Sequence, residues 1–245
     1  MTVRAGIGGW TYAPWRGAFY PHGLAQKREL EYAVQHLTAI EINATFYGRQ
    51  KPESWRKWAE AAPDGFQFSL KASRYSTARK LLAEGKESIE AFLGQGFTEL
   101  GAKLGPILWQ FAAAKRFEPD DFARFLDLIP DAQDGVPLRH ALEPRHDSFA
   151  DPAFFELARA RNMAIVFADS DDYPRIEEQT ADFAYARLQR TIETVDTGYD
   201  ASALDSWADK ARDWAKGDRD AYVFFIAGAK VRNPAAAQAL IERLP

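Results

Sequence analysis

Residues that could do chemistry alternate with apolar residues in several short runs of the chain. Glu41 and Asn43 alternate with two isoleucines, and Lys71 ends a run that alternates in the same way. A β-strand sends successive side chains to opposite faces, so the polar residues of such a run share one face. The same pattern in later runs adds six residues to that face: Gln110, Glu143, Arg145, Asp169, Arg187 and Gln189.

These residue types favour two kinds of chemistry. Two inward carboxylates, Glu41 and Glu143, are the minimum equipment for general acid/base catalysis or glycoside cleavage. Lysine and arginine suit an anionic or carbonyl-bearing ligand, because arginine can bind carboxylate or phosphate with two hydrogen bonds. The alternative is a set of mutual salt bridges that only fills the end of a barrel. The cations on the predicted face are Lys71, Arg145 and Arg187.

A metal centre is a further interpretation of the same residues. Four side chains have the types that zinc or manganese prefers: Glu41, Glu143, Asp169 and His146. They lack the spacing of a metal motif, and the neighbouring Lys71 and Arg187 would repel a cation. The chain also has no cysteine, which excludes thiol catalysis and thiolate metal sites. We therefore predict no metal and no cofactor.

The elements that must position these residues alternate along the chain. Apolar residues at helical spacing in residues 30–37, 89–100 and 204–214 predict amphipathic helices between strands. Eight strands with intervening helices, and no linker or repeat, predict one (β/α)8 TIM barrel over residues 1–245. The predicted strands are residues 3–8, 39–42, 66–70, 107–111, 141–143, 164–168, 183–188 and 222–226.

Residues 170–182, between strands six and seven, are too few for a long helix, so we expect an irregular crossover there. Helix ends are marked elsewhere. Asp151 and Asn233 each precede a proline, as N-terminal caps do, and Asn162 suits a left-handed C-terminal stop. In a barrel the C-terminal ends of the strands meet at the face that carries active sites. The polar residues lie near those ends and are predicted to line one pocket.

Composition narrows the class of protein. Of 245 residues, 47% are hydrophobic and 27% charged, which is typical of a globular protein. The net charge of −4 gives no reason to expect an anionic membrane as partner and makes nucleic acid an unfavoured one. No apolar run approaches 18 residues, and residues 1–6 lack an apolar signal core. We therefore expect a cytoplasmic protein with a small anionic ligand, and leave its oligomeric state open.

Several motifs, spread over nearly the whole chain, resemble one family. They are residues 8–12 (GGWTY), 15–21 (WRGAFYP), 40–47 (IEINATFY), 66–72 (FQFSLKA), 104–111 (LGPILWQF) and 142–146 (LEPRH). Together they resemble the YecE-like family, domain of unknown function 72. The resemblance implies a TIM barrel and no settled activity. The motif residues Trp10, Tyr12, Tyr47 and His146 join the ligand-binding candidates.

Three positions depart from the pattern of that family. Its Thr-His after the third strand reads Thr-Ala here, with Ala78 replacing the histidine. Its His-Gly after Arg187 reads Gln189-Arg190, and the asparagine-rich end of the eighth strand reads Ile-Ala-Gly at residues 226–228. These changes predict a divergent subgroup with a different ligand or a weakened activity.

Two functions follow as hypotheses. The first is an enzyme, of the hydrolase or isomerase kind, that uses Glu41 or Glu143 as acid/base on a small anionic or polyhydroxylated substrate. The second is a non-catalytic protein that binds a phosphorylated metabolite or a nucleic-acid fragment through the same cations. The altered positions favour the second function somewhat.

Overall fold

Parallel strands form the centre of the molecule. The computed structural model describes residues 2–244. The strands are β1 Thr2–Gly8, β2 Ala39–Ile42, β3 Gln67–Lys71, β4 Leu104–Gln110, β5 Ala132–Gln133, β6 Val136–Pro137, β7 His140–Glu143, β8 Ala164–Ile165, β9 Phe167–Asp169, β10 Phe183–Leu188 and β11 Asp220–Phe225. The main sheet has nine parallel strands in the order β8-β7-β4-β3-β2-β1-β11-β10-β9. A separate antiparallel hairpin, β5-β6, was not predicted from the sequence.

The sheet forms a nearly closed barrel, whose two edges β8 and β9 are adjacent in the chain. These two strands stand at opposite ends of the order, yet Val166 alone separates them in the chain, and its N–H donates to the Leu142 carbonyl at 2.9 Å. They are the two halves of the predicted sixth strand. The prediction of a TIM barrel is therefore confirmed, with a break inside strand six. The terminal residues 1 and 245 of the predicted domain lie outside the described residues.

Helices connect the strands. They are α1 Glu29–His36, α2 Ala44–Tyr47, α3 Pro52–Ala61, α4 Arg74–Thr77, α5 Lys86–Leu93, α6 Pro119–Leu126, α7 Pro152–Ala160, α8 Ala201–Trp214 and α9 Asn233–Ile241. Short 3-10 turns lie at Ala13–Trp15, Gln26–Arg28, Leu82–Gly85, Phe97–Lys103, Asp147–Phe149 and Lys230–Arg232. Residues 170–182 contain neither helix nor strand, as predicted. No helix within residues 2–244 has the length and apolar character needed to cross a membrane.

Two helix predictions are wrong in detail. The helix predicted to reach residue 100 ends at Leu93, because Gly94 follows it and Gly96 adopts φ +84°, which ends the helical path. Asn233 does not cap α9. Its side-chain amide instead accepts from the Thr191 hydroxyl at 2.9 Å and donates to the Ala227 carbonyl at 3.2 Å.

The other two helix-end predictions are confirmed. Asp151 caps α7, since its carboxylate accepts from the Ala153 N–H at 2.8 Å. Asn162 adopts a left-handed φ of 50° two residues after that helix ends.

Alternating side chains divide the apolar core into two parts. Ile40 and Ile42 pack into the large core between the sheet and the helices, whereas Glu41 is buried inside the barrel. The barrel interior holds a smaller apolar cluster made by Ala39, Leu108, Ala141, Ala164, Val166, Phe183, Tyr185, Tyr222 and Phe224. The polar residues of the same strand faces lie above this cluster, towards the C-terminal ends of the strands.

Candidate functional site

Arg187 on β10 is held between two carboxylates at the C-terminal end of the barrel interior. Its Nε lies 3.1 Å from Glu41 Oε2, and its Nη2 lies 3.1 Å from Glu41 Oε1. Its Nη1 donates to both oxygens of Glu143 at 2.7 Å. Burial opposes the charge of this 2% exposed residue, but Glu143 and Glu41 outweigh burial and raise the pKa of Arg187. The guanidinium is therefore a fixed cation.

Other side chains occupy the rest of the two carboxylates. Glu41 accepts from the Tyr185 hydroxyl at 2.8 Å, while Glu143 accepts from Gln110 Nε2 at 2.6 Å and from Arg145 Nη2 at 3.3 Å. Burial disfavours the charged form of Glu143, but the charges of Arg187 and Arg145 prevail and lower its pKa. Glu143 is therefore ionised at neutral pH.

A cavity of about 880 Å³ opens above this network. Both glutamates lie beneath its floor, almost without solvent exposure. Gly8 allows two cavity-lining side chains to approach β1 closely, because a Cβ there would lie only 2.7 Å from the side chain of Ile226 and 2.8 Å from that of Asn43. Seven of the sequence-predicted site residues line the cavity: Trp10, Asn43, Tyr47, Lys71, Gln110, Arg145 and Arg187.

Two cavity lysines of the described residues, Lys71 and Lys230, lack an ionic partner, and Lys71 is the more buried of the two. Lys71 is 8% exposed, and its Nζ lies 4.1 Å from the centroid of the Phe46 ring. Within residues 2–244, no carboxylate lies within salt-bridge distance of this amine. Burial, and next the charge of Arg187, lower the pKa of Lys71 to about 8. Its amine is therefore partly neutral in mildly alkaline solution.

Two further cations at the cavity rest on aromatic rings. The Arg145 guanidinium carbon lies 4.2 Å from the centroid of the Tyr173 ring, and its Nη1 donates to the Tyr173 hydroxyl at 3.2 Å. Lys230, in the turn after β11, places its Nζ 4.3 Å from the centroid of the Tyr12 ring. Both cations line the cavity, so its wall combines positive charge with aromatic surface.

The structure does not bring Asp169, His146, Gln189 or Tyr12 into the wall of this cavity. Asp169 accepts from the Tyr199 hydroxyl at 3.0 Å, in a separate depression. His146 Nδ1 accepts from the backbone N–H of Ser148 at 3.0 Å. The ring of Tyr12 lies outside the cavity wall but contacts the ammonium of Lys230, which lines the cavity.

Strand parity explains the position of Asp169. After the break at Val166, Phe167 packs on Trp207 and Trp214 of α8, outside the barrel interior. Asp169 follows two residues later in the same strand and therefore shares that side. Asp169 was predicted to lie inside as the polar residue that ends its strand, but the interior side chains of this run are Ala164 and Val166, which have the opposite parity.

The residues weighed as metal ligands belong to separate hydrogen-bond networks. Glu41 and Glu143 bind Arg187, Asp169 binds Tyr199, and His146 binds the Ser148 loop. Within the described range 2–244, no group of three acidic or histidine side chains is arranged to hold a metal ion.

Sequence reasoning missed several residues of this region. Tyr185 shares strand and parity with Arg187, so the alternation could have found it. Phe46 belongs to the motif at residues 40–47, and Lys230 follows the eighth strand as barrel-loop residues do. No sequence signal marks Asn233, which lines the cavity, or Tyr173, which lies in the irregular crossover.

Two of the three segments that depart from the family pattern reach the cavity. Thr77 and Ala78 line one side, and Ile226 and Ala227 line another. Ala227 adopts φ +62°, and its carbonyl accepts from Asn233. These segments contribute small or apolar side chains where the family pattern has polar ones.

Comparison with known proteins assigns the family. The family model described as "Protein of unknown function DUF72" matches residues 4–245. The chain belongs to the DUF72 family. The resemblance noted in the sequence motifs is thereby confirmed.

Two curated relatives of this DUF72 chain are similar in sequence. It is 28% identical over 159 residues to UPF0759 protein YunF of Bacillus subtilis (strain 168), which is 63% of this chain and 54% of that protein. It is 29% identical over 115 residues to UPF0759 protein YecE of Escherichia coli (strain K12), covering 45% and 41% respectively. The chain thus spans about half the length of the curated relatives it matches.

Solved structures of DUF72 proteins share the fold. The protein TM1631 from Thermotoga maritima superposes with a TM-score of 0.75 at 22% identity, covering 98% of this chain and 97% of that one. A DUF72 protein from Enterococcus faecalis V583 superposes with a TM-score of 0.73 at 17% identity, covering 99% and 95%. At these identities the likeness concerns the barrel itself.

Proposed function

We propose that this DUF72 protein is an enzyme that binds a small anionic or polyhydroxylated molecule in the cavity at the C-terminal end of the barrel. The observation that carries the proposal is the balance of charge around the cavity. Lys71, Arg145 and Arg187 line it, whereas Glu41 and Glu143 lie beneath it and are already paired with arginine. The surface offered to a ligand is therefore positive.

The side chains around these cations support a ligand that has an anionic group and also a planar or sugar-like part. Arg145 presents a guanidinium stacked on Tyr173, and arginine in this position can bind a carboxylate or phosphate with two hydrogen bonds. Trp10 and Tyr47 add aromatic surface, and Asn43 and Gln110 add amides that could orient hydroxyl groups.

Glu143 is the residue that we assign as general acid/base. Its bonds from Arg145, at 3.3 and 3.4 Å, are longer than those from Arg187. A ligand anion that draws Arg145 away would free one lone pair of an ionised carboxylate next to the cavity. Glu41 is covered by Arg187 and Tyr185, so we assign it the role of holding Arg187.

Ligand-dependent stability tests the binding half of the proposal. Thermal unfolding is measured with inorganic phosphate, sugar phosphates, small carboxylates and uncharged sugars. A ligand at about 100 times its Kd stabilises a protein by roughly 2.7 kcal/mol. We expect stabilisation by anions, its loss in Lys71→Gln, and its retention in the exposed-surface control Lys57→Gln. Equal stabilisation of both variants, or none of the wild type, would contradict the proposal.

Glu143→Gln tests the catalytic half, because it preserves shape and removes the charge. With a substrate drawn from the stabilising ligands, we expect turnover to be lost while ligand binding persists. Unchanged kcat in this variant would remove Glu143 from the mechanism.

The second candidate function, non-catalytic binding of a phosphorylated metabolite or nucleic-acid fragment, is favoured by a specific observation. Every oxygen of Glu41 and Glu143 already accepts hydrogen bonds from neighbouring side chains. Under this function the stabilising anions are bound and remain chemically unchanged, and Glu143→Gln alters stability alone.

A further inference from the structure

The surroundings of Lys71 differ from those of two other shielded lysines, Lys115 and Lys103. The side chain of Lys115 is 11% exposed and pairs with Asp121 at 3.0 Å, and Lys103 donates to the Ala59 carbonyl at 2.6 Å. For Lys71 Nζ, the structure of residues 2–244 shows neither a carboxylate nor a hydrogen-bond acceptor within bonding distance. An unpaired buried charge is unfavourable. Structural stability therefore does not explain this amine.

The groups that face Lys71 favour its neutral form. Arg187 and Arg145 repel a positive charge on Lys71. Glu41 and Glu143 attract that charge, but their oxygens already accept hydrogen bonds from the arginines. Together with burial, this balance lowers the pKa of Lys71 to about 8. Lys230 adds a further cation to the same cavity.

We propose that Lys71 is a catalytic nucleophile that forms an imine with an anionic aldehyde or ketone, such as a sugar phosphate or a 2-oxo acid. An amine that is desolvated and lies next to other cations is the form of lysine that reacts with carbonyl groups. It stands in a cavity whose arginines would hold the anionic group of the same molecule. This inference rests on the proposed function and names its substrate class.

The reaction balances without an oxidant or a metal. The nitrogen lone pair forms a bond to the carbonyl carbon, and the carbonyl oxygen takes up a proton to give a carbinolamine. The carbon–oxygen bond then breaks, and the oxygen leaves as water. Protons lost by nitrogen and gained by oxygen are exchanged with cavity water. The resulting iminium acidifies the neighbouring C–H bond, which favours an isomerase over a hydrolase.

Borohydride trapping tests this inference on the wild-type protein. The protein is incubated at pH 8 with glyceraldehyde 3-phosphate, or separately with pyruvate, reduced with sodium borohydride, and mapped by peptide mass spectrometry. At this pH an ordinary exposed lysine is neutral in roughly one molecule in a hundred or fewer. We therefore expect Lys71 to be labelled about tenfold or more faster than exposed Lys57. The rate should rise with pH through about 8.

Lys71→Arg is the matched variant, since it retains the charge and removes the nucleophile. We expect it to lose the trapped adduct and to keep stabilisation by inorganic phosphate. In the wild type, labelling of Lys71 no faster than Lys57 overturns the imine. If phosphate still stabilises the protein in that case, the anion site survives. Equal labelling by uncharged glyceraldehyde overturns the anionic substrate class.

Discussion

The two ends of the barrel interior carry similar polar residues in different environments. At the N-terminal end, Arg139 donates to Asp220 at 3.0 Å, to Gln67 at 3.0 Å and to the Tyr222 hydroxyl. At the C-terminal end, Arg187 is held in the same manner by Glu41 and Glu143. The Arg139–Asp220 pair is more than a quarter exposed, whereas the Arg187 network is buried.

That difference in exposure decides what each cluster can do. Water screens the Arg139–Asp220 pair at the N-terminal end, so this pair contributes little to the free energy of unfolding. The upper network must satisfy every charge internally, because buried charges without partners are strongly unfavourable. The charges of Arg187 and the two glutamates are paired within this network, whereas the Lys71 amine faces the cavity without an ionic partner. The upper end is therefore the one equipped for binding and chemistry.

Replacing the central arginine of each cluster gives the largest expected contrast. Arg187→Met leaves two buried carboxylates without their main partner, so we expect the free energy of unfolding to fall by about 3–5 kcal/mol. Arg139→Met removes a water-screened pair and should lower it by about 1 kcal/mol or less. Urea denaturation measures both. Similar losses in the two variants would contradict the distinction between the ends.

The N-terminal half of the barrel also contains a buried histidine that is kept in its neutral form. His140 Nδ1 accepts from Trp109 Nε1 at 3.1 Å, its Nε2 donates to the Pro130 carbonyl at 2.9 Å, and burial lowers its pKa to about 4. The unfolded chain therefore takes up this proton first. We expect stability to fall by about 2–3 kcal/mol as pH drops from 6.5 to 4.

The matched variant for this pH effect is His140→Asn, which has no titrating group. Because carboxylates also titrate in this range, the quantity to compare is the difference between the wild-type and variant stability curves. Parallel curves between pH 6.5 and 4 would show that His140 is not held neutral.

Two shielded lysines provide a smaller contrast of opposite sign. Lys71→Met removes an unpaired buried charge, so we expect the free energy of unfolding at pH 7 to rise by about 1–2 kcal/mol. Lys115→Met breaks the pair with Asp121 and should lower it. The folded pKa of Lys71 lies below its unfolded value, so the gain should vanish as pH rises from 8 to above 10. A loss of stability in Lys71→Met at pH 7 would place a partner near its amine.

Much of the barrel could be predicted from the sequence because strands covered by helices appear as short apolar runs. Strand parity also predicted that Glu41, Glu143 and Arg187 share the barrel interior, since alternation requires only local backbone geometry. The prediction failed for Asp169, which was assigned to the interior as the polar end of its strand although it shares parity with Ile165 and Phe167 of the outer core.

The partners within the site required the structure. Nothing in the sequence distinguishes Arg187, which both glutamates hold, from Lys71, which has neither. That distinction depends on side-chain reach across the barrel. Asn233 likewise looked like a helix cap, but its amide bonds instead to Thr191, which is 42 residues away in the chain, and to the Ala227 carbonyl.

The titration of Lys71 tests the central claim most directly. In protein with isotope-labelled lysine, NMR follows the Lys71 side chain against pH, with and without inorganic phosphate. We predict a pKa of about 8 in the free protein, and a higher pKa with phosphate, because a bound anion stabilises the ammonium form. An ordinary lysine pKa that phosphate does not change would contradict an unpaired amine that anchors an anion.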